Sequence, residues 1–345
     1  MVQILQISTN PETIPEDTIR EPVVCGYFRL AHHPKFPSTP VKIDKSQIPS
    51  INLKRFSSGY AQNDINKMLR TAMDPPKCPI KIQEFLENVD GFKKEEGKKL
   101  IAIGAKTLAH IAVSPEAKIY LLNDTIKGVS CLVGTTCSVE QKFAYTETQV
   151  QQWKDATQLG ILNGWSLTSS TDSTSEKKET IDYYFVVLTL TFGDVKMWIL
   201  AEIDGVYRKT VSFSRGGLVE SKLKRFSQFD YCKAHFSGVT KCLSSNKSSM
   251  QIIKEGIPAG TRVEFSMGDT SDLINMEQLS IGKRLIRHFF KEMFSYFEKN
   301  QEYYSVFATK EQKNKFFQVE FAKKRGTQKS VEDDSSGSCN QTDDV

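Results

Sequence analysis

Apolar and polar positions fall into two distinct periods along this chain, and each predicts a different element. The most regular stretch lies late in the sequence. There Leu285, Phe289, Met293 and Phe297 recur every four residues, and Ile286, Phe290 and Phe294 widen the stripe. That spacing predicts a helix over 276–297 with one face in a core. Two apolar runs, Tyr183 to Phe192 and Val195 to Asp204, flank Gly193-Asp194 and read as a β-hairpin. Further strands are predicted at 22–29, 129–137, 303–308 and 316–321. Shorter helices fit 63–72, ended by Pro75-Pro76, then 80–89, and 149–159 with Trp153 on the inner side. The stretch 99–113 contains Gly104 and fits either helix or strand. Residues 216–238, opening on Gly216-Gly217, read as helical, and 239–253 as two short strands.

Strands and helices mix without strict alternation or internal repeat. The expected fold class is therefore α+β, with mixed central β-sheets flanked by helices. Residues 1–20 are polar and carry Pro11 and Pro15, so a flexible arm is expected there. A single domain over 21–325 follows, interrupted by the Ser/Thr-rich loop 166–180. Residues 326–345, acidic from Ser330 on, are expected to be a disordered tail.

Composition narrows the classes. With 39% hydrophobic and 25% charged residues, the chain is of soluble globular type. A net charge of +5 permits an acidic partner such as RNA without requiring one. No apolar run is long enough to span a bilayer, and Met1 to Arg20 carries no secretory pattern. The 7 cysteines form no CxxC pair, so reduced thiols without disulfides are expected, and an intracellular site, nuclear or cytoplasmic. There is no P-loop, GxSxG or GxGxxG, which leaves triphosphatase, α/β-hydrolase and Rossmann readings unsupported.

The candidate chemistry is Glu202-Ile203-Asp204, at the end of the run Lys196 to Ala201. Residues two apart on a strand share a face, so the two carboxylates project together. The opposite face, Val195, Met197, Ile199, Ala201 and Ile203, is wholly apolar. Two readings stand side by side: solvated acids on an exposed strand face, or the start of a divalent-cation site of the nuclease kind. Downstream, 208–225 is rich in basic residues. Arg208, Lys209, Arg215, Lys222, Lys224 and Arg225, against a single Glu220, are candidates for RNA phosphates, with a soluble helix surface as the alternative.

The order of these segments resembles the DXO family of decapping exoribonucleases, whose fold is related to the PD-(D/E)XK nucleases. Divergent nematode members are the nearest kind. The resemblance covers roughly residues 20 to 321. Its anchors are Glu21-Pro22-Val23-Val24-Cys25-Gly26-Tyr27-Phe28-Arg29-Leu30, Glu202-Ile203-Asp204, and Tyr231-Cys232-Lys233-Ala234-His235-Phe236-Ser237-Gly238-Val239. The last is similar to the family's Trp-Ala-Gln-Ser-Phe-x-x-Gly-Val. The resemblance implies removal of aberrant or NAD-capped RNA 5′ ends, with Mg²⁺ or Mn²⁺ held by carboxylates.

Matched position by position, the family pattern is incomplete. Its Glu-hydrophobic-Asp motif is intact and implies metal ligands at Glu202 and Asp204. Its Gly-hydrophobic-x-hydrophobic-Glu motif falls at 160–164 and ends on Gly164. Its Glu-hydrophobic-Lys motif falls at Thr210-Val211-Ser212, and no Glu-x-Lys occurs between 205 and 219. An early arginine is missing near Gly104-Ala105, and the glutamine of the later helix is Lys233, a further candidate for RNA. The expectation is a scaffold with a degenerate active site, a pseudoenzyme binding RNA 5′ ends or a protein partner. The alternatives are a working metal-dependent nuclease with relocated acids, Glu220 and Asp230 being candidates, and an interaction module without RNA binding.

Overall fold

A computed structural model describes residues 4–10, 12, 21–32, 38–70, 81–136, 146–168, 181–207, 217–300, 303–310 and 316–323. Within them the strands are β1 (Ile4–Ser8), β2 (Val23–His32), β3 (Pro40–Ile43), β4 (Lys99–Gly104), β5 (Ala117–Ile126), β6 (Val129–Thr136) and β7 (Ile181–Phe192). Then come β8 (Val195–Ile203), β9 (Gly205–Tyr207), β10 (Gly217–Lys222), β11 (Val239–Ser245), β12 (Phe265–Asp269), β13 (Tyr303–Lys310) and β14 (Phe316–Lys323). The helices are α1 (Leu53–Ser58), α2 (Gln62–Arg70), α3 (Ile82–Leu86), α4 (Ala105–Val113) and α5 (Glu147–Thr168). They continue as α6 (Gln228–Phe236), α7 (Ser249–Glu255), α8 (Thr270–Leu273) and α9 (Met276–Lys299).

Ten strands form a mixed sheet in the order β1-β14-β13-β5-β6-β4-β8-β7-β2-β3, and four form a second sheet, β12-β11-β10-β9. In the large sheet β4 runs parallel to both β6 and β8, and in the small one β10 runs parallel to β11. The fold is the expected α+β class.

The central strands are buried on both faces because alternate residues feed two cores. Met197, Ile199, Ala201 and Ile203 of β8 pack under α4, α6 and α9, where Phe289, Phe290 and Met293 lie on the predicted helix stripe. Trp198 and Leu200 point the other way, toward Phe85 and Leu86 of α3. A third core joins α2, α5 and α7 to the small sheet through Met68, Leu162, Ile252, Val219 and Leu243.

Several expectations are corrected. Residues 4–8, read as part of a loose arm, form β1 and pair antiparallel with β14, with Ile7 buried. Ile4, Leu5 and Ile7 supply a short apolar run that the surrounding polar residues mask. Residues 166–168, read as loop, complete α5 with Ser166, Leu167 and Thr168 buried. Trp153 points outward and is 55% exposed. The ambiguous 99–113 resolves into β4 followed directly by α4. The supposed helix 216–238 is a strand, β10, then α6, because Ser227 caps the helix only there. Residues 249–253, read as strand, lie in α7, and β5 has no counterpart among the predicted strands. The rest of the 166–180 loop and the 326–345 tail lie outside the described residues.

Candidate functional site

The two sheets meet at Asp204. β8 ends in the large sheet at Ile203, and β9 begins in the small sheet at Gly205, so Asp204 is the joint between them. Register then decides what faces it. β9 pairs antiparallel with β10, with Gly205 opposite Val219. Asp204 donates its backbone N–H to Val219 O at 3.0 Å. The next residues of β10, Glu220 and Ser221, are thereby carried onto Asp204, and the Ser221 N–H donates to Asp204 Oδ2 at 2.5 Å.

Helix α6 closes the site from the side. Ser227 caps it, with Asp230 completing a capping box that fixes the first turn. Asp230 and Lys233 lie three apart, on one helical face. Asp230 is paired with Lys222 and, at 2.9 Å, with Lys224. Lys233 Nζ donates to Glu220 Oε1 at 2.5 Å, and Lys222 Nζ lies 3.7 Å from the same oxygen. Strand and helix therefore interlock through alternating charges, Glu220 and Lys222 on one and Asp230 and Lys233 on the other.

The third wall is α5. Thr157, Gly160, Ile161, Gly164 and Thr168 recur at helical spacing and line the cleft, all but Ile161 with small side chains. Gly164 abuts Asp204 so closely that a Cβ there would stand 2.5 Å from Asp204 Oδ1. Together these elements enclose about 530 Å³, with Glu202, Asp204, Glu220, Lys222 and Lys233 all on its surface.

The electrostatics follow from crowding three acids against two lysines. Burial, then Glu220 and Glu202, push the Asp204 carboxyl up to about 8, against the pull of the Ser221 N–H and Lys233. Glu202 opens to water through the cleft mouth but is otherwise surrounded by protein. Burial raises its pKa, with Glu220 adding and Lys233 and Lys222 opposing. Burial works against the charged Lys233, yet Glu220, Glu202 and Asp204 outweigh it and hold the ammonium above its usual range. Burial likewise works against Asp230, and Lys222, the Ser227 cap and Lys224 overcome it to hold this carboxylate below the usual range. Burial, with Glu202 beside it, pushes the Tyr183 hydroxyl up to about 12.

Of the residues singled out from sequence, Glu202, Asp204, Gly164, Lys224 and Lys233 converge on this one cleft. Arg225 is exposed, next along the chain from Lys224. Arg208, Lys209, Thr210, Ser212 and Arg215 lie outside the described residues. Asp230 is spent on two lysines and the helix cap, so it does not stand in as a free acid. Glu220 does stand beside Asp204. The sequence reading had Lys222 only as one basic residue of 208–225 and missed the triplet it completes. Glu220-Ser221-Lys222 spells Glu-x-Lys immediately beyond the 205–219 window in which that pattern was sought. Among the described residues, no group of three or more His, Cys, Asp or Glu side chains is arranged to hold a metal ion.

No protein-family model and no curated protein sequence matches the chain. Solved structures do. Scheffersomyces stipitis Rai1, in complex with (3′-NADP)⁺ and calcium, superposes with a TM-score of 0.65 at 9% identity, covering 94% of this chain and 93% of that one. Candida albicans Rai1, in complex with pU5 and Mn²⁺, gives 0.62 at 14% identity, over 92% and 94%. K. lactis Dxo1, in complex with manganese, gives 0.56 at 9%, over 95% and 100%. The chain has the fold of these proteins along nearly its whole length, and the resemblance read from the sequence holds at that level. Among the described residues no helix is long and apolar enough to cross a membrane.

Proposed function

We propose that this chain is a DXO-like scaffold that binds RNA 5′ ends and whose hydrolysis is lost or greatly slowed. The observation that carries this reading is the Lys233 ammonium, 2.5 Å from Glu220 Oε1 in the cleft that Glu202 and Asp204 line. Metal-dependent hydrolysis by a pair of cations needs enough free carboxylate oxygens to hold both. Here one Glu220 oxygen is taken by Lys233 and one Asp204 oxygen by the Ser221 N–H. Gly164 supplies no carboxylate and leaves no room for one. The residues present therefore do not fit a pair of Mg²⁺ or Mn²⁺ ions, and no step is derived through them.

What the cleft retains is a way to hold phosphate. Lys222, Lys224 and Lys233 line it, and their ammonium groups can share their remaining N–H donors with phosphate oxygens while staying paired with Asp230 and Glu220. Arg225, exposed and next along the chain from Lys224, would extend that track. Oligouridylate and a dinucleotide occupy the solved relatives named above, which supports a nucleotide ligand of the same class. Such a role places the protein in the nucleus or cytoplasm.

Glu220-Ser221-Lys222 beside Glu202 and Asp204 favours a second reading, a working metal-dependent nuclease. In that reading the register of the Glu-x-Lys motif is 220–222 rather than 210–212, and the departures from the family that remain are Gly164, Lys233 and the arginine missing near Gly104-Ala105. One experiment separates the two. Triphosphate, NAD-capped and monophosphate RNAs are incubated with the pure protein and Mg²⁺ or Mn²⁺. The proposal expects a salt-sensitive gel shift without cleavage. Robust cleavage abolished by Glu202→Gln would establish the nuclease instead. No shift even at low salt would assign the cleft to a protein partner.

A further inference from the structure

We infer that Lys233 is a resident cation: it neutralises the carboxylates of this cleft in place of a divalent metal and, by occupying Glu220, keeps such a metal out. The inference rests on the reading above only for the ligand; its metal arm is independent of RNA.

Three features of the geometry support it. The backbone at Lys233 is fixed, because α6 is tied at its start by the Ser227–Asp230 capping box and along its length by buried Cys232, Ala234 and Phe236. From that anchored position the side chain reaches Glu220 Oε1 at 2.5 Å, and only 19% of it is exposed. Lys222, the other lysine within reach of Glu220, is held more closely by Asp230 and stands 3.7 Å from Glu220 Oε1, so Lys233 is the nearer cation of that carboxylate. The third feature is Gly164. Its contact with Asp204 means that a side chain at this position of α5 could supply a replacement carboxylate only by displacing Asp204.

A hard dication needs several anionic oxygens and tolerates no ammonium among them. A monovalent ammonium delivers its charge without those ligands but cannot act as a Lewis acid. A lysine in this position therefore preserves attraction for a phosphate while making it independent of metal. The chemical class of ligand is a nucleotide bearing a terminal phosphate, bound in the presence of chelator.

The full chain is titrated with Mn²⁺ and free ion is followed by electron paramagnetic resonance. Wild type should show no saturable site up to about 1 mM. Lys233→Gln should gain one site, bound roughly tenfold or more tighter, and the double variant Lys233→Gln, Glu202→Gln should lose it again. Lys233→Met, which keeps the bulk of the chain without its charge, should behave as Lys233→Gln. Melting curves establish that each variant folds. Saturable Mn²⁺ binding by wild type, or none by folded Lys233→Gln and Lys233→Met, overturns the inference. The ligand arm uses a 5′-phosphorylated RNA. Wild type should shift it equally in chelator and in Mn²⁺, whereas Lys233→Gln should need Mn²⁺. If no variant shifts RNA while the Mn²⁺ results hold, the RNA reading fails and the resident cation stands.

Discussion

Replacing Asp204 by Asn should flatten one component of the protein's pH-dependent stability. Asp204 sits at the joint of the two sheets, with its carboxyl pushed up to about 8 by burial and by Glu220 and Glu202. In the unfolded chain the same group titrates near 3.8, the ordinary value. Between those pH values the folded protein holds a proton at Asp204 that the unfolded chain has lost. Stability from this group is therefore complete below its unfolded pKa and falls as pH rises toward 8. One extra proton in the folded state corresponds to a loss of at most about 1.4 kcal/mol per pH unit. Glu202, raised in the same sense, adds to the slope in both proteins. Asn keeps an oxygen to accept the Ser221 N–H and never ionises, so the core contact survives and only the titration is removed. Urea unfolding of wild type and Asp204→Asn at pH 5.5, 6.5 and 7.5 measures the difference. The variant should gain about 1 kcal/mol on wild type for each pH step, reaching roughly 2 kcal/mol across the range. Parallel profiles for the two proteins would mean that Asp204 is ionised and compensated in the folded state, and the crowding argument would be wrong.

Other expected outcomes concern the frame that holds the site. Phe289→Ala removes a fully buried ring packed against Phe290 and Phe317, and should cost about 3–5 kcal/mol by denaturant unfolding. Ser227→Ala removes the cap of α6 and should cost about 1 kcal/mol; it should also loosen Lys233, read as a weaker RNA gel shift. Gly59→Ala places a Cβ 2.1 Å from Val263 O at a backbone φ of +60°, and should cost at least about 2 kcal/mol by thermal melting. Val263 is held there by exchanging backbone hydrogen bonds with Tyr60, and a stability equal to wild type would show that this pairing gives way freely.

Much of the frame can be read from residue order because local periodicity and burial coincide. The α9 stripe of Leu285, Phe289 and Met293 is a core face both in pattern and in fact. The β7–β8 hairpin turns where Gly193 takes a φ of +54°. Glu202 and Asp204 converge because a strand's period of two requires it. The errors have equally specific causes. Residues 216–238 open on two glycines and carry scattered lysines, which mimic a helix start. What makes 217–222 a strand is pairing with β9 and β11, neither of which is local to it. Trp153 looks like a core residue by type, yet the part of α5 that carries it stands away from the core.

The sequence by itself determined the α+β class, the long amphipathic helix, the carboxylate pair, and the absence of an acid at 164. Each is a property of neighbouring residues, and short-range sterics and side-chain alternation suffice for it. Only the tertiary structure decided that Glu220 and Lys222 share a cleft with Glu202 and Asp204, and that Lys233 spans from α6 to Glu220. Those meetings depend on the register of β9 against β10 and on where a capped helix docks, and such pairings are set by packing across two sheets.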